Sequence, residues 1–365
     1  MKGNFNMRSK SWIWIVSVIV LLVIGSVYFT RSSPPRYTLV EIKGLRGAPF
    51  EAHAINNLGQ VVGVSITSKD ENDSFNGIAV LWNEGESRSL GIPDPQGYCT
   101  LDLNDRGQVI GHYSQPKGLG RRSFFYENGK SIGLDKWRLL ALDINETGDV
   151  IGDILGNKDP DETVIWKNGK LRHIGPTDGH TSIINDKGQV ATAYKSGGYP
   201  AFMWDKGKVR TLGKLDVKCD TYTPYSINNS GQVVGMASLE PQWTQPGVLE
   251  VIFERILHRF SNPPSPPDYV FISENGKMRE LDAGNVSDLV INNRGEIAGT
   301  CSVGRSGTQP FIMLGDVSHD LNDLINRESG YTIKSVSDIN DRGEIIGQAK
   351  HDGEECAILL RPIKP

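Results

Sequence analysis

The chain has 365 residues, of which 38% are hydrophobic and 22% charged, and a net charge of −4; no Lys/Arg-rich stretch offers the basic footprint of a nucleic-acid binder. Its 41 Gly and 19 Pro suit many short strands and turns better than long helices.

Lys2, Arg8 and Lys10 mark residues 1–10 as a cytoplasmic N-terminus, and residues 11–30 (SWIWIVSVIVLLVIGSVYFT) carry no charge. Twenty such residues in a helix span a hydrocarbon core of roughly 30 Å. The expectation is a transmembrane signal-anchor that places the rest outside the cytoplasm; cleavage of the segment would instead release a secreted protein. Residues 31–36 (RSSPPR) read as a short, stiff linker.

Everything from 37 to 365 is expected to be one domain. YTLVEI (37–42) is a strand with no partner in its own neighbourhood. Seven related strings then follow: AINNLGQVVG, DLNDRGQVIG, DINETGDVIG, IINDKGQVAT, SINNSGQVVG, VINNRGEIAG and DINDRGEIIG. Each sets an Asn three residues before a Gly: Asn56 and Gly59, Asn104 and Gly107, Asn145 and Gly148, Asn185 and Gly188, Asn228 and Gly231, Asn292 and Gly295, Asn340 and Gly343. The Asn side chain can bond its own backbone, and the Gly supplies the positive φ of a tight hairpin. The steps between copies are 48, 41, 40, 43, 64 and 48 residues, the period of β-propeller blades.

Residues 143–174 show how a repeat becomes a blade. LDIN, DVIGDI, TVIWK and LRHI read as strands a to d, with Asn-x-x-Gly between a and b and Asn-Gly between c and d. Trp82, Tyr126, Trp166, Trp204, Phe271 and Phe311 recur on strand c and are expected to pack between blades. The seventh repeat ends after its third strand. The strand at 37–42 is therefore expected to complete it, giving an all-β, seven-bladed propeller closed by its N-terminal strand.

This pattern, with AFMWDKGKVRTLG (201–213) as its clearest second half, resembles the HAF repeats of bacterial extracellular repeat proteins. The resemblance spans 37–361 and implies a repeat architecture without an established reaction.

Strand order puts the a–b and c–d turns at one end of the ring and the b–c and d–a connections at the other. The second end carries the variable loops 65–77, 112–122, 153–162 and 237–268, where binding is expected. The last is an insertion in blade 5 in which GVLEVIFERILHRF (247–260) has helical apolar spacing. Candidate ligand contacts are Arg121, Arg122, Trp137, Asp159 and Trp243.

The D-x-N-x-x-G strings lack the further ligands and closing Glu of a calcium loop. The seven histidines form no metal-spaced pair, and no nucleophile elbow or phosphate loop is found. No metal, cofactor or catalytic residue is expected. The four cysteines (Cys99, Cys219, Cys301, Cys356) are read as free thiols. The function expected is a non-catalytic binding or scaffold module for a protein or glycan ligand in the cell envelope. The competing readings are a polysaccharide hydrolase using loop carboxylates such as Asp159 and Asp161, and an architectural envelope protein.

Overall fold

A computed structural model describes residues 36–69, 75–92, 98–114, 120–154, 162–176, 181–193, 201–217, 219–239, 268–304 and 307–363. The transmembrane segment expected at 11–30 and the helix expected at 247–260 lie outside the described residues. Among the described residues, no helix is long and apolar enough to cross a membrane.

Seven four-stranded antiparallel sheets form a β-propeller. Blades 1 to 6 occupy residues 50–89, 98–133, 139–176, 183–211, 221–281 and 286–320, each in simple a-b-c-d order. Blade 7 takes Tyr331–Ile339, Ile345–His351 and Glu354–Pro362 as strands a to c, and Tyr37–Ile42 as its outer strand. Thr38 stands opposite Arg361, Leu39 opposite Leu360 and Glu41 opposite Ile358. This pairing gives the Glu354–Pro362 ladder a partner it would otherwise lack and closes the ring.

The repeat pattern maps onto local geometry. All seven turn glycines have positive φ, from 70° at Gly107 to 82° at Gly59. The first residue of strand b is an aliphatic at the blade centre: Val61, Val109, Val150, Val190 and Val233 are completely buried, and Ile297 and Ile345 nearly so. Two residues further on, the repeat's second Gly answers a different need. In blades 1, 3, 5 and 7, strand a bulges just past the residue facing this Gly. A strand-a carbonyl lies close to this Gly, so a Cβ on Gly235 would meet Thr223 O at 2.2 Å, one on Gly63 Glu51 O at 2.1 Å, and, in blade 6 where the register is unshifted at this level, one on Gly299 Asp288 O at 2.5 Å. Blade 4 carries Thr192 here; its strand a is only Ile183–Ile184 and its register is unshifted.

The strand-c aromatics are buried between blades, but they occupy two register positions rather than one. Trp82, Tyr126, Trp166 and Trp204 face the first strand-b valine. Phe271 and Phe311 sit two residues earlier, opposite Gly235 and Gly299, and fill the space those glycines leave. Ser273 and Met313 take the outer position in blades 5 and 6. The span 65–77 is also mostly strand rather than loop: strand b runs Val61–Lys69 and strand c begins at Phe75. Cys219, Cys301 and Cys356 are free, half-buried thiols.

Candidate functional site

The seven Asn-x-x-Gly turns converge around the central axis. Asn56 shows what each contributes. Its Oδ1 accepts from Leu58 N at 3.1 Å and Gln60 N at 3.0 Å; its Nδ2 donates to Gln60 Oε1 at 2.8 Å and to the carbonyl of Asn104, in the next blade, at 3.0 Å. A primary amide can make about four hydrogen bonds, and all are made. The inter-blade bond repeats without a gap: Asn104 to Asn145 O, Asn145 to Asn185 O, Asn185 to Asn228 O, Asn228 to Asn292 O, Asn292 to Asn340 O, and Asn340 back to Asn56 O. The polar residue after each turn Gly orients this amide in six repeats. Gln60, Gln108, Gln189, Gln232, Glu296 and Glu344 each accept from their Asn Nδ2.

A second closed ring is built by the residues that follow those asparagines. Asn57 N donates to Asp105, Asp105 N to Glu146, Glu146 N to Asp186, Asp186 N to Asn229, Asn229 N to Asn293, Asn293 N to Asp341, and Asp341 N to Asn57. A third tier lies deeper and is incomplete. Asp338 Oδ2 accepts from Ile55 N at 2.9 Å, Asp102 Oδ2 from Ile144 N at 3.1 Å, Asp143 Oδ2 from Ile184 N at 2.7 Å, and Ser226 Oγ from Ile291 N at 3.2 Å. Burial raises these carboxyls, partly offset by the backbone donors; Asp338 is pushed up to about 7, and Asp102 and Asp143 also rise. Burial likewise takes Glu146 to about 7.

The cavity at this end is about 170 Å³ and is lined by members of these rings. The asparagine amides here already serve neighbouring blades, and the carboxylates of Glu146, Asp186 and Asp341 accept backbone N–H groups, so this end is first a structural hub.

The opposite end differs. A cleft of about 640 Å³ opens between blades 1 and 7, where strand a begins and strand b ends in blade 1. Pro49, Phe50 and Ile66 give it apolar walls, and Glu51, Glu355 and Gln348 supply polar groups. Gln348 Nε2 is buried without a hydrogen-bond partner. His53 stands on the strand-a bulge two residues from Glu51, its buried Nε2 3.9 Å from Glu51 Oε1; burial lowers its pKa, partly offset by that carboxylate.

The sequence-derived contacts fall partly on this end. Arg121 and Arg122 open strand c of blade 2 and are exposed; Arg122 Nε lies 3.7 Å from Asp135 Oδ1. Asp135 starts the single helical turn that carries Trp137. The Trp137 ring turns away into the blade 3 wall, edge-on to Trp166 at 5.7 Å. Asp159 and Trp243 lie outside the described residues. Sequence reasoning missed the cleft because its walls come from the first and last blades. Only ring closure, read as placing position 50 beside position 348, pointed there.

No protein-family model and no curated protein matches the chain. Solved structures do. The β-propeller domain of the Trilobed protease from Pyrococcus furiosus, described as having an open velcro topology, superposes with a TM-score of 0.52 at 11% identity, over 84% of this chain and 94% of that one. Pyrococcus horikoshii acylaminoacyl peptidase gives 0.53 at 11% identity over 87% of this chain, which spans about half (52%) of that protein. A Mycobacterium tuberculosis puromycin-hydrolyzing peptidase gives 0.52 at 10% identity, again over about half (55%) of its length. At these identities the likeness shows the propeller fold alone.

Proposed function

We propose that the chain is a non-catalytic binding or scaffold propeller whose b–c and d–a end receives a protein or glycan ligand. The carrying observation is the contrast between its two ends. The asparagine amides around the a–b hub bond across neighbouring blades and enclose only about 170 Å³, whereas the opposite end holds a cleft of about 640 Å³. Rigid scaffolds with variable connections at one end are where recognition usually resides. The uncharged stretch 11–30, with Lys2, Arg8 and Lys10 before it, supports attachment to a membrane with the propeller outside the cytoplasm.

The test is capture of peptides or glycans on arrays by the full chain. Capture should fall when Glu51→Lys or Arg121→Glu with Arg122→Glu alters the cleft end. It should persist when Lys187→Glu alters an a–b turn. The opposite ranking would place recognition at the hub. Protease accessibility in intact cells, with membrane fractionation, checks the attachment.

A further inference from the structure

We propose that the c–d turn corner of blades 3 and 4 docks on an anionic lipid surface, so that the b–c and d–a end faces away from the membrane. This deepens the reading of the chain as a membrane-attached propeller and rests on it.

The path of the chain comes first. Tyr37 stands opposite Pro362, where strand c of blade 7 ends, just as Lys170 stands opposite Lys167 in blade 3. Both outer strands therefore start at the a–b and c–d end, and whatever precedes Tyr37 joins the propeller there. Residues 31–36 reach at most about 20 Å when fully extended, which keeps this end close to a bilayer that 11–30 enters. Ile363, whose N–H donates to Arg36 O at 2.7 Å, leaves an apolar side chain exposed at this entry. Leu58 exposes another on the a–b turn of blade 1.

Charge comes next. The c–d hairpins 163–173 and 202–211 are neighbours in the ring and lie across it from blade 7. They carry Lys167, Lys170, Arg172, Lys206, Lys208 and Arg210, all exposed, against a single carboxylate, Asp205. Among the described residues only Lys167 is ion-paired, with Asp149 at 2.8 Å. Asp205 accepts from Gln189 Nε2 at 3.0 Å, and the a–b turn carboxylates Glu146 and Asp186 sit in the hub ring. Blade 1 has Glu84 and Glu86 with Arg88 in the matching hairpin, and blade 6 has Asp316 and Asp320 with no Lys or Arg. The basic sector is thus local, in a chain of net charge −4.

Two of the cations are also held in place. Arg172 lies over the Trp204 ring at 4.7 Å, and Arg210 Nη2 is 2.9 Å from Met203 Sδ. Basic side chains within a Debye length of anionic headgroups are drawn to them. A tether on one side of the ring and a basic corner on the other give the propeller two supports. Lysines on an outer strand also discourage edge pairing. Charge reversal separates the two roles, because glutamate keeps the edge charged but is repelled by the lipid.

The full chain, reconstituted into vesicles of phosphatidylcholine with or without phosphatidylglycerol, is floated and labelled with a membrane-impermeant acetylating reagent. Mass spectrometry reads each lysine, with exposed Lys350 near the b–c turn of blade 7 as the internal standard. Flotation is expected with both lipids, and labelling of Lys170, Lys206 and Lys208 relative to Lys350 should fall at least about threefold on anionic vesicles. High salt should abolish this protection, as should Lys170→Glu with Lys208→Glu, read at Lys206, at unchanged Tm. Equal labelling on the two lipids, or protection that survives salt or the double reversal, overturns the docking; flotation with both lipids then leaves the attachment standing. No flotation overturns both. Protection by soluble polyglutamate but not by anionic vesicles overturns the proposal in favour of an acidic polypeptide.

Discussion

Asn340 Nδ2 donates to the carbonyl of Asn56 at 2.9 Å, joining residues 284 positions apart. The same bond links every other neighbouring pair of blades, so this contact is the link that closes the ring between the first and last repeats. Its side chain further caps the turn by accepting from Arg342 N and Glu344 N at 3.0 Å.

Asn340→Ala therefore strands Asn56 O and two turn amides together. The expected loss is about 3 kcal/mol or more in urea unfolding. Asn340→Asp keeps both turn caps but loses the Nδ2 donor and sets a carboxylate beside Glu344. It should fall between the parent and the alanine variant at neutral pH and approach the parent in mild acid.

Gly347 and Gly353 separate two uses of glycine within one blade. A Cβ on Gly347 would lie 1.9 Å from Ser335 O, whereas one on Gly353 meets nothing within 4 Å despite a φ of 91°. Gly347→Ala should cost more than about 3 kcal/mol or prevent folding. Gly353→Ala should cost about 1 kcal/mol. Thermal unfolding of the two variants side by side reads the difference.

The hub aspartates give stability a definite pH slope. Asp338 titrates near 7 in the fold against about 4 unfolded, so the folded state holds its proton more tightly. That contribution is complete below about pH 4 and is lost as pH rises through about 7. Asp338→Asn retains an oxygen for Ile55 N, forfeits the acceptor of Ile339 N at 2.8 Å and removes the titration. Its urea midpoint should vary less between about pH 4 and 8 than the parent's. Asp102 and Asp143, raised in the same direction, leave a residual slope.

Loss of Tyr37–Ile42 opens blade 7 along Glu354–Pro362, a strand whose centre, Ala357–Leu360, is almost fully buried. Removing these six residues should expose that edge and produce concentration-dependent association by strand pairing. Size-exclusion chromatography over a dilution series checks this; a monomer of unchanged stability would contradict the closure's energetic role.

Much of this architecture was legible because the information is local. An Asn three residues before a Gly specifies its hairpin in any blade, and counting such hairpins yields seven. The leftover strand at 37–42 was assigned by deficit, since blade 7 ran out of chain. Inter-blade chemistry was not legible: Asn56 and Asn104 look like two turn caps until the blades stand side by side and one amide reaches the next carbonyl. The same blindness hid the role of Gln60 and its counterparts, which orient the amide that makes the reach. The recurrence of bulky residues on strand c carried no register, and Phe271 and Phe311 sit opposite glycines, where a small residue on strand b leaves room that an aromatic can fill. Trp137 illustrates the limit for sites. Its place after strand d suggested an exposed rim, but the Trp166 ring lay within reach and offered more apolar contact than solvent.

The hub bonds all run the same way around the axis, each repeat handing a proton donor forward and receiving one from behind. A repeat thus arrives with both halves of its coupling to either neighbour, whatever that neighbour's sequence elsewhere. Gain or loss of one whole unit by gene duplication or deletion would leave every remaining junction chemically matched, with curvature alone deciding how many units fit the circle.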